Sequence, residues 1–413
     1  MSFSNFSFHP KIQSAIQKSG YTAPTPIQQQ AIGPILDKRD ILGLAQTGTG
    51  KTAAFVLPII QRLIDRPAGK VGALVIAPTR ELAEQILEYV QKMSIGTRLR
   101  SLAVYGGVNK NTQAARLKAG VDVVVACPGR LLDHLSDRAV DLSAVEMLVL
   151  DEADHMFDKG FLPDIRKILR AVNTQRQTLV FSATMPGEIR HLVEDILKNP
   201  VTVQVEHERP TKSVKHSVYQ VQQQEKTDLL KDILARKDVK TALVFTRTKH
   251  RAKSLALQLQ KSDFQAASLQ GNMSQAKRQS ALDGFKNGTY SILVATDIAA
   301  RGIDVSEISH VINYDMPDTV ETYTHRTGRT GRAACTGEAF TFVTADDSRM
   351  IRMVEQNLGR KIVKVASNRI GSGSQPDEVR PHVPAETPEK KKAAGQGRSG
   401  GKPRRGLSFD FGI

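Results

Sequence analysis

Short, almost continuous apolar runs alternate with amphipathic stretches along most of the chain, from about residue 40 to about residue 360. Such runs are typical of strands buried on both faces, and the stretches between them, such as RELAEQILEYVQKM at 80–93, have the period of helices. The predicted strands are 41–45, 73–78, 121–128, 145–151, 178–184, 241–248, 291–297, 310–317 and 338–344. The pattern therefore predicts an α/β fold in which mostly parallel sheets are flanked by helices.

The series of strands is interrupted by the polar stretch EHERPTKSV at 206–214, which contains Pro210 and has no periodicity. A chain of 413 residues also exceeds what one hydrophobic core usually serves. We therefore predict two tandem α/β domains, 1–205 and 215–367, joined by a linker at 206–214. Nine linker residues span at most about 30 Å when extended, so the domains must stay neighbours while they remain free to rotate.

From 368 to 413 the chain is rich in Gly, Pro, Lys and Arg and poor in apolar residues, which predicts a disordered basic tail. Residues 390–405 include seven positive and no acidic side chains, and they account for much of the formal net charge of +16. This tail is interpreted either as a tether for nucleic acid or as a solubilising segment. Its apolar end, LSFDFGI, is either a docking peptide or a chance hydrophobic end.

The excess of 58 Lys and Arg over 42 Asp and Glu indicates a polyanionic partner, either nucleic acid or an anionic membrane. No apolar run approaches the roughly 18 residues that a membrane span needs, which disfavours the membrane. The first residues, MSFSNFSFHPK, lack the charged and apolar regions of a secretory signal. Cys127 and Cys335 lie far apart, so the sequence offers neither a disulfide framework nor the spacing of a cysteine metal site. We therefore expect a reducing, cytoplasmic location.

A phosphate-binding loop is predicted at AQTGTGKT, 45–52, between a predicted strand and the apolar stretch AAFVLPII. The backbone N–H groups of a glycine-rich loop turn toward phosphate oxygens, and the following helix adds its positive N-terminus. Lys51 would reach the β and γ phosphates, and Thr52 would ligate Mg²⁺. The alternative is a chance match to the pattern.

A second element of the same chemistry is MLVLDEAD, 147–154, where a predicted strand ends in adjacent carboxylates. Beside a phosphate loop, this arrangement fits a site for Mg²⁺ and an attacking water. Asp151 would hold the metal partly through its water shell, and Glu152 would orient or deprotonate the water. The alternative is an acidic helix start that is favoured by the helix macrodipole.

The stretch HRTGRTGR, 325–332, places Arg326, Arg329 and Arg332 close together in the second half of the chain, with little acid nearby. An arginine supplied by a second domain stabilises the charge that develops on a γ-phosphate, by on the order of 10³ to 10⁵ in rate. Catalysis would then require the two domains to close. A solvated basic loop and an RNA-binding patch are the alternatives.

The motifs taken together resemble those of the DEAD-box family of ATP-dependent RNA helicases in superfamily 2, over residues 1 to about 360. In chain order they are GYTAPTPIQ (20–28), AQTGTGKT (45–52), PTREL (78–82), GG (106–107), CPGR (127–130), DEAD (151–154), SAT (182–184), VFTRT (244–248), ATDIAARGID (295–304) and HRTGRTGR (325–332). The resemblance implies two RecA-like domains, ATP and Mg²⁺, RNA-stimulated ATP hydrolysis coupled to interdomain closure, and local, non-processive unwinding of RNA duplexes.

The resemblance also implies a role for individual residues. Adenine, phosphates and ribose would be held by Phe3, Tyr21, Gln28, Ala45, Gln46, Thr47, Gly48, Thr49, Gly50, Lys51, Thr52, Gly302 and Asp304. The catalytic residues would be Lys51, Asp151, Glu152, Arg329 and Arg332, with Arg326 holding its motif in place. The two domains would be coupled through Asp154, Ser182, Thr184 and His325. RNA would contact Pro78, Thr79, Arg80, Gly107, Gly129, Arg130, Arg247, Gly271, Arg278, Thr296 and Asp297.

Most of these RNA contacts are small side chains or backbone amides, which suit phosphates and sugars. The implied partners are therefore single-stranded RNA and short RNA duplexes, bound largely without regard to sequence, together with proteins of ribosome assembly or RNA decay. Cys127 departs from the usual Thr of the family, and Thr327 from a usual Ile. The short N-terminus, the QGNMSQ stretch at 270–275 and the basic tail are most similar to the bacterial RhlE-like subgroup, although Gln270 and Met273 depart from its commoner residues.

Other functions fit parts of the same pattern. An ATP-dependent RNA clamp or assembly factor would use the same residues, and the sequence does not separate it from a helicase. A DNA helicase is disfavoured by GYTAPTPIQ together with DEAD. A phosphate-loop kinase is disfavoured because it needs no second RecA-like domain.

Overall fold

The computed structural model describes residues 2–45, 48–185, 187–205, 214–300, 308–331 and 337–366. The strands of the first half are β1 (Ile41–Leu44), β2 (Ala73–Ile76), β3 (Ser101–Val104), β4 (Val123–Ala126), β5 (Met147–Leu150), β6 (Gln177–Ser182) and β7 (Val201–Gln204). Its helices are α1 (Pro10–Lys18), α2 (Pro26–Leu36), α3 (Lys51–Leu63), α4 (Arg80–Met93), α5 (Lys110–Lys118), α6 (Pro128–Ser136), α7 (Ala153–Asp158), α8 (Leu162–Ala171) and α9 (Gly187–Ile196).

The second half repeats this plan. Its strands are β8 (Val214–Gln220), β9 (Ala242–Phe245), β10 (Ala266–Leu269), β11 (Ile292–Ala295), β12 (His310–Asn313), β13 (Gly337–Val343) and β14 (Val363–Ala366). Its helices are α10 (Lys226–Leu234), α11 (Lys249–Gln260), α12 (Gln275–Lys286), α13 (Asp297–Ala300), α14 (Val320–Thr327) and α15 (Ser348–Leu358). Two short 3₁₀ segments, Phe3–Phe6 and Ala345–Asp347, complete the described helical structure.

Each half forms one sheet of seven strands, and the strand pairings in both sheets are parallel. The first sheet has the order β3-β4-β2-β5-β6-β1-β7, and the second has the order β10-β11-β9-β12-β13-β8-β14. Counted from the first strand of each half, the two orders are identical. The predicted fold class, two tandem α/β domains with parallel sheets flanked by helices, is confirmed.

The strands form where the sequence is apolar on both faces. In β2, for example, Val75 packs into the core on one side of the sheet and its neighbour Leu74 into the core on the other side. Burying a side chain of this kind stabilises the fold by about 1.5–3 kcal/mol. The predicted strands extend past the observed carboxyl ends, by four residues in the case of 310–317, because the chain leaves the sheet there while the sequence stays largely apolar.

The order of the first sheet determines where the motifs meet. β5, β6 and β1 are neighbours, so their parallel carboxyl ends lie side by side. Ligands of open α/β sheets bind outside these ends. The loops after the three strands carry AQTGTGKT, DEAD and SAT, and the topology therefore brings three separate motifs to one edge.

The predicted linker, 206–214, separates the strands of the two sheets and overlaps the second sheet by one residue. Strands of the first sheet end at Gln204, and those of the second begin at Val214, the last residue of the predicted linker. Both sheets belong to one compact unit. The rest of the linker and the predicted tail at 368–413 lie outside the described residues.

Candidate functional site

The phosphate loop leaves β1 at the buried Ala45 and leads into α3, which begins at Lys51. Gly48 and Gly50 have φ angles of 87° and 92°, in the left-handed region that favours glycine. Lys51 is buried, and its Nζ donates a hydrogen bond of 2.9 Å to the Ala45 carbonyl. The loop and the helix N-terminus together provide backbone N–H groups and one ammonium group at the sheet edge, as the sequence predicts. Gln46 and Thr47 lie outside the described residues.

Of the residues expected to recognise adenine, Gln28 contacts this loop directly. Gln28 is buried; its Nε2 donates to the Gly50 carbonyl at 3.1 Å, while its Oε1 accepts from the Thr25 N–H at 3.0 Å. The amide retains one N–H and one oxygen lone pair beyond these bonds, which suit the edge of a purine. The rings of Phe3 and Tyr21 are 6.0 Å apart. Base recognition and phosphate binding would thus share one hydrogen-bonded unit.

The first two residues of DEAD, Asp151 and Glu152, follow β5 and are both buried. Glu152 has φ 53° and ψ 55°, a left-handed conformation that is uncommon for a residue with a side chain and that clusters at functional sites. Burial raises the pKa of Asp151 to about 6, while the charge of Lys51 acts in the opposite direction. Asp151 is therefore a carboxylate whose negative charge is not fully offset by the protein.

Glu152 is held by a neighbour that the sequence analysis did not identify. A carboxylate oxygen of Glu152 lies 2.8 Å from Nδ1 of His155, and both side chains are buried. Burial would raise the pKa of Glu152, but the hydrogen bond and charge of His155, with the charges of Lys51 and Arg329, lower it to about 2. Glu152 is therefore ionised at neutral pH. The signal was available, because His155 lies three residues after Glu152 at the start of a helix, a spacing at which side chains can meet.

The third acidic residue of the motif joins DEAD to SAT. Asp154 Oδ2 accepts hydrogen bonds from the N–H of Ala183 at 3.1 Å and from the N–H and Oγ1 of Thr184 at 2.9 and 3.1 Å. The Ser182 hydroxyl accepts from the Asp154 N–H at 3.2 Å and donates to the Thr184 carbonyl at 2.7 Å. Three of the four predicted coupling residues therefore form one network within the first half.

The second half approaches the same site through HRTGRTGR. The rings of His155 and His325 are 5.3 Å apart in an edge-on arrangement, which puts the fourth coupling residue beside the partner of Glu152. Arg329 is buried, and its positive charge contributes to the lowered pKa of Glu152. The predicted catalytic residues Lys51, Asp151, Glu152 and Arg329 are therefore brought together from both halves. Arg332, Gly302 and Asp304 lie outside the described residues.

Arg326 anchors its motif inside the second half. Its guanidinium forms a bidentate ion pair with Asp297, at 2.5 and 2.7 Å, and donates to the Asp315 carbonyl at 2.7 Å. The group also lies over the Phe245 ring, 5.0 Å from its centroid. These contacts agree with the positioning role expected for Arg326. They also occupy both carboxylate oxygens of Asp297, which was expected to contact RNA.

A buried ion pair joins the two halves directly. Arg278 on α12 donates to Glu81 on α4 at 2.7 Å, and the two side chains are only 9% and 5% exposed. Arg278 also donates to the carbonyls of Gln270 and Ala299. From the sequence, Arg278 is expected to contact RNA, and Glu81 of PTREL has no predicted role. In this structure Arg278 instead contacts the opposite half.

The RNA-contact candidates of the first half gather around PTREL and GG. Thr79 caps α4 by accepting from the Leu82 N–H at 3.2 Å, and Arg80 begins that helix. Arg80 packs so closely over Gly107 that a Cβ there would lie 2.2 Å from its Nη1. The neighbouring candidates are Pro78, whose carbonyl accepts from Lys159, and Gly129 and Arg130 in the first turn of α6.

In the second half the remaining candidates follow carboxyl ends of strands. Arg247 comes after β9, and its exposed guanidinium lies 3.4 Å from Asp318. Gly271 and Thr296 follow β10 and β11, and a Cβ built at Gly271 would meet no atom within 4 Å. Such positions are accessible to a backbone phosphate or sugar.

Cys127 takes the N-cap position of α6 without a side-chain capping bond. Burial raises the pKa of its thiol to about 12, so the group is neutral at physiological pH and is no nucleophile. Across the residues that the structure describes, no helix combines the length and apolar character needed to cross a membrane.

Two family models match the chain. The DEAD/DEAH box helicase model matches residues 25–192, and the helicase conserved C-terminal domain model matches residues 225–334. The ATP-dependent RNA helicase CshA of Listeria monocytogenes is 44% identical over 361 residues, which cover 87% of this chain and 69% of CshA. The DEAD-box ATP-dependent RNA helicase CshA of Bacillus subtilis is 42% identical over 363 residues, which cover 88% and 73%. Because these bacterial relatives are CshA helicases, the expected likeness to the RhlE-like subgroup is not supported.

The fold is also similar to that of S. cerevisiae Dbp5. A single-residue variant of Dbp5 bound to RNA and ADP BeF3 has a TM-score of 0.81 at 28% identity, covering 90% of this chain and 97% of that one. The same variant bound to Nup159, a Gle1 variant, IP6 and ADP has a TM-score of only 0.62 at 28% identity, with coverages of 87% and 95%.

Proposed function

This chain belongs to the DEAD-box family of ATP-dependent RNA helicases, and from that premise we propose that it hydrolyses ATP at one site completed by closure of its two halves on RNA. The observation that carries the proposal is the charge of Arg329, from the second half, acting on the buried Glu152 of the first half. A site divided in this way is active only while the halves are together. RNA that bridges both halves would favour that state and so stimulate hydrolysis.

Within the closed site, each residue has a role that its contacts support. Lys51 would exchange its hydrogen bond with the Ala45 carbonyl for a phosphate oxygen of ATP. Arg329 would stabilise the charge that develops on the γ-phosphate. Glu152, with a pKa of about 2, is a weak base, which favours orienting the attacking water over early removal of its proton. His155 would fix the carboxylate for that task.

Thr52 and Asp151 would hold Mg²⁺. The fit is supported by Asp151, a buried carboxylate whose pKa is raised to about 6, because a divalent cation would offset the unfavourable burial of its charge. Bound Mg²⁺ neutralises charge on the β and γ phosphates during transfer. Asp154, Ser182, Thr184 and His325 would connect this site to the RNA-facing loops through the network of DEAD and SAT.

We assign the RNA surface to the PTREL, GG and CPGR segments of the first half and to Arg247, Gly271 and Thr296 of the second. Helix N-termini and glycines in these segments suit sugar and phosphate contacts, which gives binding largely independent of sequence. The same proposal includes the domain limits 1–205 and 215–367. It also includes nucleotide contacts from Gly302, Asp304 and Arg332, RNA tethering by the tail, and protein partners from ribosome assembly or RNA decay.

Local, non-processive unwinding is the expected outcome of closure on one strand of a short duplex. An ATP-dependent clamp with little unwinding would use the same residues. Two measurements distinguish a local helicase from a clamp. One is strand displacement from a short and a long RNA duplex, and the other is RNA retention in the presence of a non-hydrolysable ATP analogue. Local unwinding predicts ATP-dependent displacement that falls steeply with duplex length. Long RNA retention without displacement would identify a clamp, and Glu152→Gln, which should close on RNA but not hydrolyse, is the control for closure.

A further inference from the structure

Three potential metal ligands meet at the amino end of the second sheet, outside the site described above. His310 is the first residue of β12, and Glu338 is its directly paired neighbour on β13. Asp238 lies in the connection between α10 and β9, the strand on the other side of β12. The predicted RNA contacts of this half follow the opposite, carboxyl ends of the strands.

The side chains point toward one another. His310 Nε2 lies 4.0 Å from Asp238 Oδ2 and 3.8 Å from Glu338 Oε2, and all three ligand atoms lie within 4.8 Å of one another. An ion equidistant from atoms at these separations would be about 2.3–2.5 Å from each, compared with about 2.0–2.2 Å for zinc bonds to His and carboxylate. Movements of a few tenths of an ångström would therefore complete the coordination.

His310 supplies the observation that points to a ligand. The residue is only 3% exposed, and its Nδ1 is held 2.9 Å from the Ser309 hydroxyl. Its Nε2 is buried and has no hydrogen-bond partner among the described residues, although it faces both carboxylates. A buried polar atom left in this way is unfavourable, so it calls for an explanation. A contact from Ser309 to the other ring nitrogen is also how metal-binding imidazoles are usually oriented.

We propose that Asp238, His310 and Glu338 form a binding site for a divalent transition-metal ion of the zinc class. Imidazole and carboxylate together suit Zn²⁺ and its first-row neighbours, whereas Mg²⁺ and Ca²⁺ prefer oxygen ligands alone. The side chains of Asp238 and Glu338 are 50% and 32% exposed, so an ion can enter from solvent and keep water at its open positions. The buried Nε2 of His310, which faces both carboxylates, is the nitrogen that would coordinate the ion.

Arg236 limits the affinity of this site. Its guanidinium pairs with Asp238 at 2.6 and 3.1 Å and lies 5.5 Å from the centroid of the Phe340 ring. This pair keeps Asp238 ionised, since the hydrogen bond from Arg236 lowers the pKa of the carboxyl group. It also places a fixed positive charge beside the ion. Removing that charge should therefore strengthen metal binding, a result that a binding site elsewhere in the chain would not give.

A bound ion would join three segments that are distant in sequence, namely the strands β12 and β13 and the connection before β9. It would therefore stabilise the second half against unfolding by an amount that grows with the free ion concentration. The test uses the full chain, freed of metal and nucleotide, titrated with Zn²⁺ in a calorimeter and with Co²⁺ in a spectrophotometer. Thermal unfolding with and without Zn²⁺ gives a second readout.

We expect one equivalent of Zn²⁺ per chain and a rise in Tm with Zn²⁺ but not with Mg²⁺. His310→Gln, Asp238→Asn and Glu338→Gln should each weaken binding by about tenfold or more. His216→Gln is the matched control, because His216 is a buried histidine of the same half that pairs with Tyr323. It should leave binding unchanged, and Arg236→Gln should tighten it.

The proposal is overturned if Zn²⁺ does not bind saturably, or if it binds the Glu338→Gln and His310→Gln variants as it binds the wild type. It is also overturned if the Co²⁺ spectrum shows intense thiolate bands, which would assign the ion to a cysteine. Because Glu338 is partly exposed, Glu338→Gln keeps the test decisive even if a substitution at His310 prevents folding.

Discussion

Replacing His155 with alanine tests how Glu152 is held for catalysis. In the wild type, His155 Nδ1 lies 2.8 Å from a carboxylate oxygen of Glu152, and both side chains are buried. The variant removes this hydrogen bond without touching the phosphate loop or Arg329. We expect ATP hydrolysis to slow, because Glu152 would no longer have one fixed orientation toward the attacking water.

The size of the effect follows from the bond that is lost. A hydrogen bond to a charged group contributes about 1.5–3 kcal/mol, and about 1.4 kcal/mol corresponds to a factor of ten in rate. If the whole contribution is made in the transition state, kcat falls by about 10- to 100-fold. The pKa of Glu152 also rises from about 2, because burial is then opposed only by the charges of Lys51 and Arg329. The acidic limb of the kcat profile should therefore move to higher pH.

The assay is kcat for ATP at saturating single-stranded RNA, measured from about pH 5.5 to 8.5. His134→Ala is the matched control, because it removes a fully buried imidazole of the same half that contacts Gln113 at 3.2 Å. His155→Asn retains a group able to donate a hydrogen bond and should recover part of the activity. A kcat for His155→Ala within about twofold of that for His134→Ala would show that His155 does not hold Glu152 for catalysis.

Asp151, Arg329 and the ion pair between Glu81 and Arg278 provide three further tests. Asp151→Asn should abolish ATPase activity yet raise the free energy of unfolding by up to about 3 kcal/mol, because burial raises the pKa of Asp151 to about 6 and so makes its ionised form unfavourable in the folded state. Urea unfolding should show this full gain above about pH 6 and no gain below about pH 3.9. Arg329→Ala should lower kcat by on the order of 10³-fold with little change in RNA affinity measured by fluorescence anisotropy, and a larger loss of RNA affinity would assign Arg329 to RNA instead. Glu81→Gln and Arg278→Gln should each raise the RNA concentration for half-maximal ATPase by about tenfold, whereas an effect of Arg278→Gln alone would make Arg278 an RNA contact.

The sequence predicted the α/β fold because the central strands are apolar on both faces. In β2, β4 and β5 every residue is buried, and each appears as an apolar run. In the edge strand β7 only Val203 is buried, and the sequence VKHSVYQ of β8 mixes polar and apolar residues. The extended conformation of such strands depends on pairing with neighbouring strands in the sheet. The apolar pattern alone therefore did not identify them.

The parts of the candidate site that were predicted are those formed by residues within one short stretch of sequence. Lys51 and Glu152 belong to short stretches whose chemistry can be interpreted in isolation, and both lie at the predicted sheet edge. Contacts between distant segments were not predictable in this way. Glu81 and Arg278 are separated by 197 positions, so their ion pair depends on how the halves meet. The hydrogen bond from His155 to Glu152 is an intermediate case. The three-residue spacing of the two side chains is visible in the sequence, but the burial of both side chains is not.

Hydrolysis should require the two halves to close on RNA. The steady-state ATPase rate of the full chain is the most direct measure of this requirement. The rate is measured at saturating ATP without nucleic acid and with single-stranded RNA, structured RNA or DNA of equal length. RNA should raise kcat by about tenfold or more, while DNA of the same length should have little effect. Equal rates with and without RNA would contradict this requirement.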